Sequence, residues 1–99
     1  MKILALEHGL PEATVDQFRQ AAKAEAHRVW ELHQSGLIRE LYFRPDRNAA
    51  VLMLECASVA EAQEIVATLL FVKMGLITFE LIPLKAYSGF ARLFSVSEM

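Results

Sequence analysis

Cysteine is almost missing from this sequence: Cys56 stands alone. No internal disulfide can form, and there is no CxxC pair for redox or metal chemistry, so the usage suits a reducing cytoplasm. Glycine is scarce at four residues, with neither a GxGxxG fingerprint nor a phosphate loop. Positive charge is never concentrated into a run, and the formal net charge is -2. Nucleic acid and anionic membrane are therefore not expected as partners. Long apolar runs are absent too. The most apolar stretch, 65–79, is interrupted by Lys73 and falls short of the roughly 20 residues a membrane span needs. The first seven residues offer four successive apolar side chains before a glutamate, too few for a signal peptide. These absences lead to the expectation of a soluble, unprocessed, cytoplasmic protein.

Apolar residues are what the chain has in quantity. They make up 55% of its 99 residues, and the mean hydropathy is +0.30. A single domain of this size buries only about two-thirds of its unfolded surface. The surplus predicts a second copy of the chain as the place where apolar surface is hidden.

The pattern along the chain gives the element order. Residues 2–7 read as a strand, with Ile3, Leu4, Ala5 and Leu6 apolar without alternation, as when both faces are buried. A long amphipathic helix is expected over 12–34, opening near Pro11 and stopped by Gly36. Residues 37–44 form a second strand, with Leu37, Arg39, Leu41 and Phe43 on one face and Ile38, Glu40, Tyr42 and Arg44 on the other. A turn at Pro45-Asp46-Arg47-Asn48 returns the chain into a third strand, 49–55. Ser58 with Glu61 three residues on marks the start of a second helix, 58–70. A linker, 71–75, leads to a fourth strand, 77–84, and an aromatic tail, 85–99, follows.

The order β-α-β-β-α-β is the ferredoxin-like pattern, α+β, with a four-stranded antiparallel sheet and two helices on one face. The other face should be polar in a monomer, yet strands one, three and four are apolar on both sides. A second sheet from an identical subunit is therefore expected to pack there, making a homodimeric α/β barrel. Residues 1–84 form the single domain. The tail, 85–99, carries Tyr87, Phe90, Leu93 and Phe94 and is expected to be an intersubunit arm; the other reading folds it back on its own helices.

The long helix carries the chemistry. At about 100° per residue, Val15, Phe18, Ala22, Ala26, Val29 and Leu32 share one face. Glu25 and His33 fall in the same arc. They lie about 12 Å apart along the axis, too far to touch, but able to flank a ligand beneath the helix. A buried carboxylate there would have a raised pKa, as a general base for a carbon acid requires. The structural reading pairs Glu25 with Arg28 or Arg39 and makes His33 a cap on the helix end. Arg39 is placed to hold a ligand carboxylate bidentately, or to neutralise Glu25. Tyr42 is a polar group of the barrel interior or interface with access to substrate. His8, ending strand one beside Gly9, reads as an acid, a base or an exposed turn histidine. His27 faces away from the stripe. It is six residues from His33, not the four that ligate one ion on a helix, so no metal is expected. Trp30 at the stripe's edge reads as packing, and Cys56 as a buried structural thiol.

Several stretches carry a resemblance. They are Glu31-Leu32-His33-Gln34-Ser35-Gly36, Leu37-Ile38-Arg39-Glu40-Leu41-Tyr42, Leu52-Met53-Leu54-Glu55-Cys56-Ala57-Ser58-Val59-Ala60-Glu61-Ala62 and Ile77-Thr78-Phe79-Glu80-Leu81-Ile82-Pro83-Leu84. In element order and spacing, 4–84 resembles the dimeric α/β-barrel proteins, and among them the muconolactone isomerase-like proteins. The resemblance implies a homodimer, often assembled further, with a ligand cavity between each sheet and its helices. It also implies a cofactor-independent proton shift in an unsaturated lactone or carboxylic acid. On that reading Glu25 or His33 moves the proton, Arg39 holds a carboxylate, and His8 and Tyr42 contact the substrate. Two other readings stand beside it: a non-catalytic protein that binds a small ligand or serves assembly, and a cofactorless monooxygenase of the same fold.

Overall fold

Thr14 sets the start of the long helix. In a computed structural model describing residues 1–94, its hydroxyl accepts from Gln17 N while its own N–H donates 2.8 Å to Gln17 Oε1. This reciprocal capping box starts helix α1 at Val15 and runs it to Gln34. Residues 12–14, expected inside the helix, lie ahead of it, with Pro11 and Glu12 in a turn. Val15, in the first turn, is exposed, and the buried residues of the helix are Ala21, Glu25 and Leu32. Beyond its last residue the turn is closed by Gly36, whose φ of +85° lets Leu37 N reach back to Leu32 O at 3.1 Å.

Four strands make one antiparallel sheet: β1 (Lys2–Gly9), β2 (Ile38–Phe43), β3 (Ala50–Glu55) and β4 (Ile77–Leu84), in the order β2-β3-β1-β4. This is the ferredoxin-like arrangement. Ile3 and Ala5 of β1, Leu52 and Leu54 of β3, and Ile38 of β2 face the helices, where they form the core with Leu32, Ala62, Ile65, Val66 and Leu69.

The second helical region is broken in two. Ser58 caps helix α2 (Val59–Ala67) through its side chain, and a further turn of helix, α3 (Leu70–Lys73), takes up most of the expected linker. Leu69 is extended between them, with φ -70° and ψ 137°.

Strand β2 contains a bulge. Ile38 pairs with Leu54, but Glu40 pairs with the next residue, Met53. Arg39 is the extra residue, so side-chain alternation is reset across it. Ile38, Leu41 and Phe43 then share the helix side, while Glu40 and Tyr42 lie on the open side with Met53 and Val51. Strict alternation had put Arg39 with Leu41 and Phe43. The bulge excludes it, and the exposed guanidinium turns back to donate 2.6 Å to Gly36 O.

The open side of the sheet carries Leu4, Leu6, Val51, Met53 and Ile82, all half-buried within one chain. Beyond β4 the tail forms a short 3₁₀ turn, Gly89–Leu93. Tyr87 packs edge-on to Phe90 at 5.0 Å, and both rings, with Leu93 and Phe94, are exposed. The radius of gyration is 17.0 Å, against about 13 Å for a compact chain of this length. The last part of the expected arm, 95–99, lies outside the described residues. No described helix is long and apolar enough to cross a membrane.

Candidate functional site

Helix α1 lines a cavity on the helix side of the sheet, from Ala22 to His33. Between this part of the helix and residues of β2, β3, β4 and the end of β1 is a cavity of about 560 Å³, within the roughly 300–1,000 Å³ typical of small-molecule sites. Leu41, Leu52, Leu69, Phe71 and Phe79 are among its apolar walls. Trp30 and Phe43, 56% and 74% exposed, mark its mouth. The polar side chains on the lining are few: Glu7, Glu25, His33, Tyr42 and the indole of Trp30.

Glu25 lines the cavity and holds a neighbouring element at the same time. Its Oε1 accepts from Leu70 N at 2.7 Å and from Phe71 N at 3.4 Å, so it caps the start of α3. Helix starts leave N–H groups without partners, and α3 has no side-chain cap of its own. Burial raises the Glu25 pKa above its ordinary 4.5, and the two N–H donors offset this only in part. Both donors use Oε1, so Oε2 is not committed to the cap. Neither arginine expected beside Glu25 is its partner. Arg28 bonds Thr68 Oγ1 at 3.0 Å and approaches Glu31 at 3.5 Å, and Arg39 reaches Gly36.

His33 also lines the cavity. Its Nδ1 lies 2.9 Å from Ile38 O. A carbonyl only accepts, so Nδ1 carries a proton, and in the neutral tautomer that this bond selects, Nε2 is the nitrogen with the lone pair. The bond ties the end of α1 to the first residue of β2 instead of capping the helix. Trp30 leans on the ring at 6.0 Å.

Glu7 is the cavity residue that sequence reasoning missed. It sits where the β1–β3 ladder has just ended at Leu6↔Val51, and its Oε1 accepts from Ala50 N at 3.3 Å. Burial is the main cause of its raised pKa; the Ala50 bond opposes the rise and the negative field of Glu25 adds to it. Two carboxylates thus sense each other across one apolar space. A strict period-2 reading of β1 places Glu7 beside Ile3 and Ala5; the unbroken apolar run obscured that alternation.

The three residues expected to bind substrate are dispersed. Arg39 is outside the cavity because of the bulge. Strand β1 runs on to Gly9, which turns His8 to the open face, where Nε2 lies 3.2 Å from Glu80 Oε1. Tyr42 borders the cavity, but its hydroxyl donates 2.7 Å to Glu40 on the open side, and that bond is the main cause of its raised pKa. His27 is exposed, 3.9 Å from Glu31. Cys56 is buried. Among the described residues no group of three His, Cys, Asp or Glu side chains is placed to hold a metal ion.

Neither protein-family models nor curated protein sequences give a match. Solved structures do. The fold is similar to that of 5-chloro-2-hydroxyhydroquinone dehydrochlorinase from Burkholderia phenoliruptrix AC1100, solved in complex with 2,5-dihydroxybenzoquinone. The TM-score is 0.71 at 17% identity, over 90% of this chain and 98% of that one.

Proposed function

We propose that this chain is a small-molecule enzyme that shifts a proton in an unsaturated ring compound without a cofactor. One observation carries the reading: Glu7, Glu25 and His33 converge on a single, mostly apolar cavity. A carbon acid needs a base of matched pKa and a second group to return the proton. His33 Nε2, oriented by the bond from Nδ1, is the base best prepared for the first step. A carboxyl with a raised pKa, Glu7 or Glu25, supplies the acid. The ring-shaped quinone bound by the structural neighbour fits a site walled by Phe71, Phe79 and Trp30. A lactone fits the same space. With Arg39 turned away, the expected anchor for a substrate carboxylate is missing from the lining.

The test is exchange of a substrate α-proton with deuterated solvent, followed by NMR on unsaturated lactones and quinols. His33→Ala should lower exchange by about a hundredfold, the usual worth of one acid–base group. Unchanged exchange in His33→Ala and in Glu25→Gln would overturn the roles given to them. A binding protein without turnover is the second reading. It is favoured by Glu25's employment as a cap, and tight binding without exchange or oxygen uptake would establish it. Oxygen uptake with a quinol would instead mark a monooxygenase.

The assembly belongs to the same proposal. The half-buried apolar side chains of the open face suit a second sheet, as in a homodimeric barrel, and the exposed aromatic tail suits an arm laid on a neighbour. A single reduced cysteine suits the cytoplasm.

A further inference from the structure

The cavity's fixed charges are carboxylates; His33 is the one basic side chain on the described lining, and in its role as proton acceptor it is uncharged. Glu7 and Glu25 both line it, and among the described lining residues none is lysine or arginine. We infer that the Glu7–Glu25 pair selects an uncharged ring bearing hydroxyl donors and rejects carboxylates, with Glu7 the specificity-determining residue. This rests on the cavity being the site of the proposed proton transfer, but concerns binding alone.

An anion entering this space meets the Glu7–Glu25 pair, and repulsion from even one negative charge shared by the pair is far stronger in a medium of low dielectric than in water. It finds no guanidinium or ammonium to offset that cost. A neutral hydroxyl meets acceptors: carboxyl oxygens accept whether ionised or not. The aromatic and aliphatic walls supply the apolar contact for the rest of the ring. A cation is the other candidate, because two carboxylates and the Trp30 face would attract it. The neutral ligand is favoured over it. Each carboxylate has already spent an oxygen on backbone N–H groups, at Ala50 and at Leu70 with Phe71. Burial also disfavours the doubly ionised state that a cation needs. Glu7 is the more informative of the two to change, because Glu25 also holds α3.

Three single-ring probes of one shape separate the possibilities: 4-hydroxybenzyl alcohol, 4-hydroxybenzoate and 4-hydroxybenzylamine. Each is titrated at pH 7 into the full chain and followed by NMR shifts of cavity residues. The alcohol should bind, the benzoate about tenfold or more weakly, and the amine no tighter than the alcohol. In Glu7→Gln, checked for folding by thermal melting, the gap between alcohol and benzoate should close to about threefold or less. The inference is overturned if benzoate matches the alcohol in the unaltered chain, if the amine binds tighter, if Glu7→Gln leaves the gap as it was, or if none of the three binds. An equilibrium titration reads no turnover. Failure of proton exchange therefore leaves this result standing, and failure here leaves the exchange result standing.

Discussion

Glu25 shows how one side chain serves the fold and the cavity together. Its carboxyl is held above its ordinary pKa of 4.5 by burial. The folded chain therefore holds that proton more tightly than the unfolded chain does. The sign follows: the contribution to stability is fully present below 4.5 and is lost as pH rises through the raised value. Glu25→Gln keeps an oxygen to accept from Leu70 N and removes the charge. Its melting temperature should gain on the unaltered protein as pH rises from 4.5 towards neutrality; a difference that does not change with pH would refute the sign. Glu25→Ala should instead lose about 1–3 kcal/mol, because Leu70 N is left without its partner. That Glu25 and His33 share one face was legible in the sequence, because a helix of twenty residues keeps its period over the distance between them. Their partners were not legible. The Leu70 N–H and the Ile38 carbonyl are backbone groups, and which side chain meets them depends on where elements end. Arg39 and His8 were misplaced for related reasons: one extra residue in β2 and two extra paired residues in β1.

The elements themselves followed from local signals. Strand β4 has the bounds its apolar pattern suggested, and Ser58 caps α2 as its spacing with Glu61 implied. The break between α2 and α3 had no comparable signal, because the apolar run through Leu69, Leu70 and Phe71 reads equally well as one helix or as a linker. What separates them is tertiary: the Glu25 carboxylate offers α3 a cap of its own. Glycines close both ends of this layer. Gly36 and Gly75 have φ of +85° and +72°, and each is followed by a residue whose N–H reaches back five positions, Leu37 to Leu32 O and Leu76 to Phe71 O. A Cβ at Gly36 would be no closer than 3.8 Å to its nearest neighbour, Arg39 Nε, so space is not the constraint. The backbone is. Gly36→Ala should cost about 1–2 kcal/mol through left-handed strain alone, seen as a lower denaturant midpoint with an unchanged slope. A substitution without effect would mean that the turn relaxes to another conformation.

For the whole molecule, the sequence spoke through its surplus of apolar residues. The helix side of the sheet absorbs Ile3, Ala5, Leu52 and Leu54, while Leu4, Leu6, Met53 and Ile82 face outward, only half-covered. Light scattering at micromolar concentration should give at least a dimer. Met53→Glu should lower the mass by placing a charge on that face, and deletion of 85–99 should lower the oligomeric state if the tail is an arm. A monomeric mass for the unaltered chain would defeat the assembly. The bulge at Arg39 bears on both sides of the sheet at once. Because Arg39 is the surplus residue, a chain shortened by this one position regains plain alternation, with Ile38, Leu41 and Phe43 still towards the helices. Removing Leu41 instead turns Tyr42 inward and Phe43 outward. Strand β2 should therefore tolerate a one-residue deletion at 39 and fail with one at 41, as a soluble-expression comparison would show. In an alignment with a sequence whose β2 lacks the bulge, a one-residue gap belongs opposite Arg39.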